Sequence, residues 1–172
     1  MKLLEVKGLT KRYPKFTLKN VSFSLEQGRI MGLIGKNGAG TSTTLKAMLN
    51  MVCPDGGSIQ MLGSDFRQEE ERCKQELGVV LGGIQFYPTK KLQAITGVTR
   101  RFYQSWDDDA YQRYMSRFDL DEQKQVRQLS EGMKVKYLIA LALSHNAKRL
   151  IFDEPTSGLD PVAREDLLEL FQ

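Results

Sequence analysis

Gly35-Lys-Asn-Gly-Ala-Gly-Thr-Ser42 decides the reading of this chain. The mostly apolar run Arg29-Ile-Met-Gly-Leu-Ile34 precedes it and has the length of a strand. Thr43 to Val52 follows, with Leu45, Met48, Leu49 and Val52 at helical spacing. Strand, glycine-rich loop and helix in that order form a phosphate-binding pattern. Glycines let the backbone turn its N–H groups toward anionic oxygens. The helix that follows adds unpaired N-terminal donors and the positive end of its dipole. Gly35, Gly38 and Gly40 supply the freedom, and Ser42 places a hydroxyl where such loops hold Mg²⁺. The full pattern has Lys before that Ser, but here the residue is Thr41. Lys36 stands five residues too early to replace it. Read alone, the loop also fits a glycine-rich turn with no ligand.

Outward from the loop, Leu3–Val6 and Val21–Leu25 read as short strands, with Gly28 closing the second. Pro54-Asp-Gly-Gly57 reads as a turn and Ser58–Leu62 as a strand. Asp65 to Glu76 is charged and expected to be helical, and Leu77–Leu81 is a buried strand. Residues 82–128 hold the single Trp106 and four of the six Tyr, and read as a mostly helical lobe. Ser130 to Ser144 has helical spacing. Arg149-Leu-Ile-Phe-Asp153 is an apolar strand that ends in Asp153 and Glu154. Pro161 to Gln172 begins a last helix.

The 172 residues are 41% hydrophobic and 27% charged, with a net charge of +4, which describes a globular chain with room for one core. The charge excess permits an anionic ligand but does not argue for a nucleic-acid groove, so no nucleic-acid partner is expected. Two cysteines, Cys53 and Cys73, fit reduced thiols. The N-terminal residues are charged throughout and do not read as a signal peptide. The longest apolar run, Tyr137–Leu143, is far short of the ~20 residues that span a bilayer.

Three further stretches follow the loop in a recognisable order: Leu129-Ser-Glu-Gly-Met133, the strand ending Asp153-Glu154, and Ser157-Gly-Leu-Asp160. With them the chain resembles the ATP-binding subunit of an ABC transporter, of bacterial exporter type, from residue 1 to residue 172. Asp153-Glu-Pro-Thr-Ser-Gly-Leu-Asp160, joining a Walker B end to a D-loop, is the most specific part. The resemblance implies an α/β fold: a P-loop NTPase core with an N-terminal antiparallel β-subdomain and a helical lobe. Residues 1–81 would form the β-subdomain and P-loop core, and 82–128 the helical lobe. Residues 129–172 would hold the signature helix, the Walker B strand, the D-loop and the start of the last helix. The C-terminal part of the family fold would be missing.

The resemblance also implies roles. ATP and Mg²⁺ are the cofactors. Tyr13 would stack on adenine. Gly35, Asn37, Gly38, Ala39, Gly40, Thr41, Ser42 and Thr43 would cradle phosphates, and Ser42 and Asp153 would hold the metal. Glu154 would be the general base. Ser130 and Gly132 would touch nucleotide bound by a partner subunit, and Asp160 would act across the same dimer. Two ATP-binding subunits, identical or different, would drive a transmembrane permease from the inner, cytoplasmic face of the cell membrane, with Phe86 and Tyr87 as candidate contacts.

Simpler readings exist for single residues: an exposed hairpin aromatic for Tyr13, an ordinary N-cap for Ser130, lobe core for Phe86 and Tyr87. The chain also departs from the family. Thr41 replaces the loop Lys, Gly82 stands where a Q-loop Gln is expected with Gln85 three residues on, and Glu131 adds negative charge. His145 comes too early to be the switch His and reads as a helix C-terminal cation or a surface residue. These departures imply poor ATP hydrolysis. The alternatives are a truncated or degenerate nucleotide-binding module with little or no activity, or an ABC-type ATPase of DNA repair or translation. Against the last, the sequence offers no long coiled-coil insertion and no second cassette.

Overall fold

The computed structural model describes residues 2–81 and 87–156, together with positions 159, 161, 164, 165 and 169. The chain divides into two compact units, Met1–Cys73 and Lys74–Gln172.

The first unit is built on a four-stranded antiparallel sheet. Long strands β1 (Lys2–Tyr13) and β2 (Phe16–Glu26) form a hairpin, and β3 (Gly56–Met61) and the short β4 (Ser64–Asp65) extend it in the order β2-β1-β3-β4. Alternation of side chains sets the register. Leu4, Val6 and Leu9 of β1, Leu18 of β2 and Ile59 and Met61 of β3 are buried, while their neighbours along each strand are exposed or half-buried. Gly56 and Gly57 belong to β3 rather than to the turn the sequence suggests. Helix α1 (Thr41–Met48) carries buried Thr44, Ala47 and Met48. It stops earlier than the spacing to Val52 predicts. Asn50 adopts φ 56°, its N–H reaches Ala47 O (3.1 Å), and the Met51 N–H reaches Lys46 O (2.9 Å). Those two bonds satisfy helix-end carbonyls in the manner of a Schellman motif. Helix α2 begins only at Glu70 and runs to Gln75, so the charged stretch from Asp65 is helical in its second half alone.

Arg29–Ile34 is not a strand. These residues have no regular structure, and Ile30 and Ile34 are 83% and 94% exposed. An apolar run of this kind is stable as a strand when it is paired on both edges and covered on both faces. Neither of the two sheets includes it.

In the second unit, β5 (Leu77–Leu81) and β6 (Arg149–Asp153) pair in parallel, from Leu77 opposite Arg149 to Leu81 opposite Asp153. Helix α5 (Glu131–Leu143) packs on β5. The close fit needs Gly78, where an added methyl would lie 2.5 Å from Leu150 Cδ2 and 2.8 Å from Ala142 Cβ. Helices α3 (Leu92–Thr99) and α4 (Asp108–Arg117) fall within 82–128, with short 3-10 turns at Arg100–Phe102 and Val126–Gln128. The Asp107 carboxylate caps α4 by accepting from the Ala110 N–H at 2.8 Å. Buried hydroxyls tie the helices together: Thr96 Oγ1 lies 2.9 Å from both Tyr111 Oη and Tyr137 Oη, and Tyr137 donates to Leu92 O. Burial raises the pKa of both tyrosines, so these hydroxyls stay protonated.

His145 is neither a surface residue nor a cation. It is 1% exposed, its ring stacks on Tyr103 with centroids 3.7 Å apart, and its nitrogens lie 3.1 Å from Leu141 O and 3.3 Å from Leu77 O. The apolar Leu138 to Ala142 sequence turns inward at this helix end, which carries the imidazole with it. Burial pushes its pKa below the ordinary 6.5, outweighing the two carbonyl contacts that favour the charged ring. The sign for stability follows. The unfolded chain takes up a proton near pH 6.5 while the folded chain resists it, so stability is full above that pH and falls as pH drops below it. Since this is the only His in the chain, its single imidazole NMR signal should titrate below pH 6.5. Denaturant midpoints between pH 7 and 5.5 should fall more steeply for the unsubstituted chain than for His145→Gln.

Candidate functional site

The glycine loop folds back on itself before α1. The Ala39 N–H donates to Lys36 O at 2.8 Å, closing a turn around Asn37 and Gly38. Gly38 and Gly40 have φ of 82° and 98°, a region that L side chains rarely adopt. Gly35 lies so close to the end of the loop that an added methyl would sit 2.8 Å from Ala39 Cβ and 3.2 Å from Thr41 Oγ1. All three glycines are therefore demanded by local geometry. Gly40 is the N-cap of α1, no side chain caps the helix, and no acidic residue occupies its first turn. The Gly40 carbonyl accepts from the Thr44 N–H (2.8 Å) and the Thr44 hydroxyl (2.9 Å), which fixes the first turn. Thr41 and Thr43 are half-buried and Ser42 is exposed. A helix start with open N–H groups and no competing carboxylate suits an anion.

Tyr13 stands at the end of β1, 40% exposed. Its ring stacks on Phe16 at 6.3 Å between centroids, and Lys11 Nζ lies 5.7 Å above it. Asp55 pins this end of the hairpin: its carboxylate accepts from the Arg12 N–H at 2.6 Å and pairs with Lys11 Nζ at 3.1 Å. Those two interactions, the Arg12 bond first, hold the Asp55 pKa below the usual carboxylate value. An exposed ring held by its neighbours can stack on a flat base. Sequence reasoning gave neither Phe16 nor Asp55 a functional role: the Asp55 contacts join positions far apart along the chain, and the Phe16 ring is brought to Tyr13 by the hairpin register.

In the second unit, Asp153 ends β6 half-buried, opposite Leu81. Glu154 follows, exposed, with φ 48°. A non-glycine residue in that region is strained, and such strain gathers at functional positions. Ser130 is the N-cap of α5, accepting from the Met133 N–H at 3.2 Å, with half-buried Gly132 in the first turn. Glu131 is paired with Lys134 at 2.6 Å, which offsets the negative charge it brings to that helix start. Tyr87 is 64% exposed. Asp160, Ser157, Gly158, Gly82, Gln85 and Phe86 lie outside the described residues. Among the described residues, no group of three or more His, Cys, Asp or Glu is placed to hold a metal. No described helix is long and apolar enough to cross a membrane.

Residues 18–157 match the ABC transporter family. The chain is 30% identical to the ABC transporter ATP-binding protein YtrB of Bacillus subtilis, over 98% of this chain and 58% of that protein. It is 34% identical to the linearmycin resistance ATP-binding protein LnrL of the same organism, over 97% of this chain and 56% of that protein. The chain thus spans somewhat more than half the length of these relatives. Among solved structures, an ATP-binding subunit of an ABC transporter superposes with a TM-score of 0.84 at 30% identity, covering 98% of this chain and 73% of that one. Family match, relatives and superposition agree with the P-loop NTPase type of α/β fold, and the chain belongs to the ABC transporter family, in its ATP-binding domain.

Proposed function

We propose that this chain is the ATP-binding part of an ABC transporter, that it takes Mg-ATP at its glycine loop, and that it turns ATP over slowly. The observation that carries the reading is the loop itself. Left-handed glycines at 38 and 40 lead into a helix whose start has neither a side-chain cap nor a carboxylate. In this reading Tyr13 stacks on the adenine ring. Backbone N–H groups from Gly35 to Thr43 surround the phosphates, with Asn37 and Ala39 shaping the turn.

Each residue assigned to magnesium is chemically suited to it: Ser42 would offer a hydroxyl and Asp153 a carboxylate, hard oxygens of the kind Mg²⁺ takes besides phosphates and waters. When bound, Mg-ATP would supply the phosphoryl group to be transferred, and the cation would neutralise charge that builds on it. Glu154 accepts a proton from the attacking water. Ser130 and Gly132, with the donors at the start of α5, and Asp160 serve nucleotide shared with a second ATP-binding subunit, identical or different. The assembly drives a transmembrane permease from the cytoplasmic face of the membrane. Thr41 supports a second reading, a nucleotide-binding module with little or no turnover.

Calorimetric titration of the chain with Mg-ATP tests the first step. Saturable binding that excess Mg-tripolyphosphate displaces is the expected result. No binding by either the unsubstituted chain or Thr41→Lys would overturn it.

A further inference from the structure

The hairpin that presents Tyr13 also supports the phosphate loop from below. Phe16 opens β2, and a methyl added to Gly40 would lie 2.8 Å from its Cζ atom and 2.7 Å from Leu18 Cδ1. The two side chains occupy the space that any Cβ at position 40 would need. Gly40 is the residue on which the loop turns into α1, at φ 98°, with its carbonyl bonded to Thr44. The same Phe16 ring stacks against Tyr13, at 24° between planes.

We infer that Phe16 is a positioning residue that joins base recognition to phosphate recognition: one side of its ring supports Tyr13 and its edge fixes the backbone at Gly40. This rests on the nucleotide reading of the loop and deepens it. Leu18 is buried and braces Gly40 as well, but it has no ring to stack on Tyr13, so the coupling is assigned to Phe16. Without that ring, Gly40 keeps only the Leu18 support and regains part of the backbone freedom of glycine. The loop's N–H groups then converge on phosphate only part of the time, and affinity falls with the fraction of chains in the competent arrangement. The loss therefore extends to a ligand that has no base.

The test compares Mg-ATP with Mg-tripolyphosphate, by calorimetry, on the full chain and on its Tyr13→Ala, Phe16→Ala and Phe16→Met variants, with thermal melts beside them. Tyr13→Ala should weaken Mg-ATP by about 5-fold or more, as loss of base stacking does, and leave tripolyphosphate within twofold. Phe16→Ala should weaken both ligands, and Phe16→Met, a long apolar side chain that can still reach Gly40 but cannot stack on Tyr13, should restore tripolyphosphate more than Mg-ATP. Should Phe16→Ala fail to fold, Phe16→Val keeps a strand former at the site while removing the ring tip from Gly40, and the same loss of both ligands is expected. A Phe16→Ala or Phe16→Val chain that folds and loses only Mg-ATP would overturn the inference, as would one that loses neither, or a folded Phe16→Met chain that restores neither ligand. Absence of Mg-ATP binding to both the unsubstituted chain and Thr41→Lys would instead overturn the nucleotide reading itself.

Discussion

Thr41→Lys should tighten Mg-ATP binding by about 10- to 150-fold, the equivalent of one charge-assisted hydrogen bond of about 1.5–3 kcal/mol. Thr41 is the first residue of α1 and follows the Gly40 turn directly, so a side chain there starts beside the loop's open N–H groups. A threonine hydroxyl is neutral and short. A lysine ammonium carries a full charge on a long stem and reaches the terminal phosphates. Neither neighbouring cation substitutes: Lys36 lies in the first turn of the loop, where its carbonyl accepts from Ala39, and Lys46 is exposed in the last turn of α1. Turnover should respond more than affinity, because charge on the transferring group grows toward the transition state. Loss of a comparable preorganised donor costs about 10²–10³ in rate. The pair of chains is compared by calorimetry for binding and by phosphate release for turnover. Equal turnover numbers would mean that the loop works without its lysine and would sink the reading of Thr41 as a lesion.

Elements held by neighbours close in sequence, or by a consistent apolar pattern, were readable. Leu77–Leu81 and Arg149–Asp153 are strands over the residues expected, because continuous apolar runs suit a buried parallel pair. The glycines of the loop were legible for a different reason: each sits where a side chain would be strained or would collide. Arg29–Ile34 is comparably apolar to the buried strands but has no partner in either sheet. Composition records a preference for burial, and only pairing satisfies it. The end of α1 was missed because Asn50, at φ 56°, takes the left-handed role of glycine there, whereas the end of α5 falls at Ser144 as its spacing predicts. His145 was misjudged because its burial depends on Tyr103 and Leu77, both distant along the chain. For the candidate site, residue types at fixed spacing marked the loop and the Asp153-Glu154 pair. The supports of Gly40, namely Phe16 and Leu18, come from tertiary contacts that no motif spacing encodes.

Gly57→Ala should be the most damaging small substitution in the first unit, costing about 2–5 kcal/mol. Two effects add. Gly57 has φ 92°, where an L residue is strained. Its added methyl would also lie 2.6 Å from Gly8 C, Gly8 O and Lys7 O. These are backbone atoms of β1, so relief requires that strands β1 and β3 separate. The site falls at the irregularity between the Lys7–Ser58 and Thr10–Gly56 pairs, where Gly8 is itself left-handed at φ 61°, so the two backbones approach closely just where Gly57 sits. Two neighbouring glycines separate the contributions. Gly63 has φ 79° with nothing within 4 Å of its added methyl, so Gly63→Ala carries strain alone, about 1–2 kcal/mol. Gly56 has no such φ and would meet only Thr10 Cβ, at 3.9 Å. Gly56→Ala should therefore stabilise slightly, by about 0.4–1 kcal/mol, since it narrows the unfolded ensemble. Denaturant melts of the three variants should rank Gly56→Ala above the unsubstituted chain, then Gly63→Ala, then Gly57→Ala. If Gly57→Ala cost no more than Gly63→Ala, strain alone would account for the glycine. The close approach of β3 to β1 would then not be what requires it.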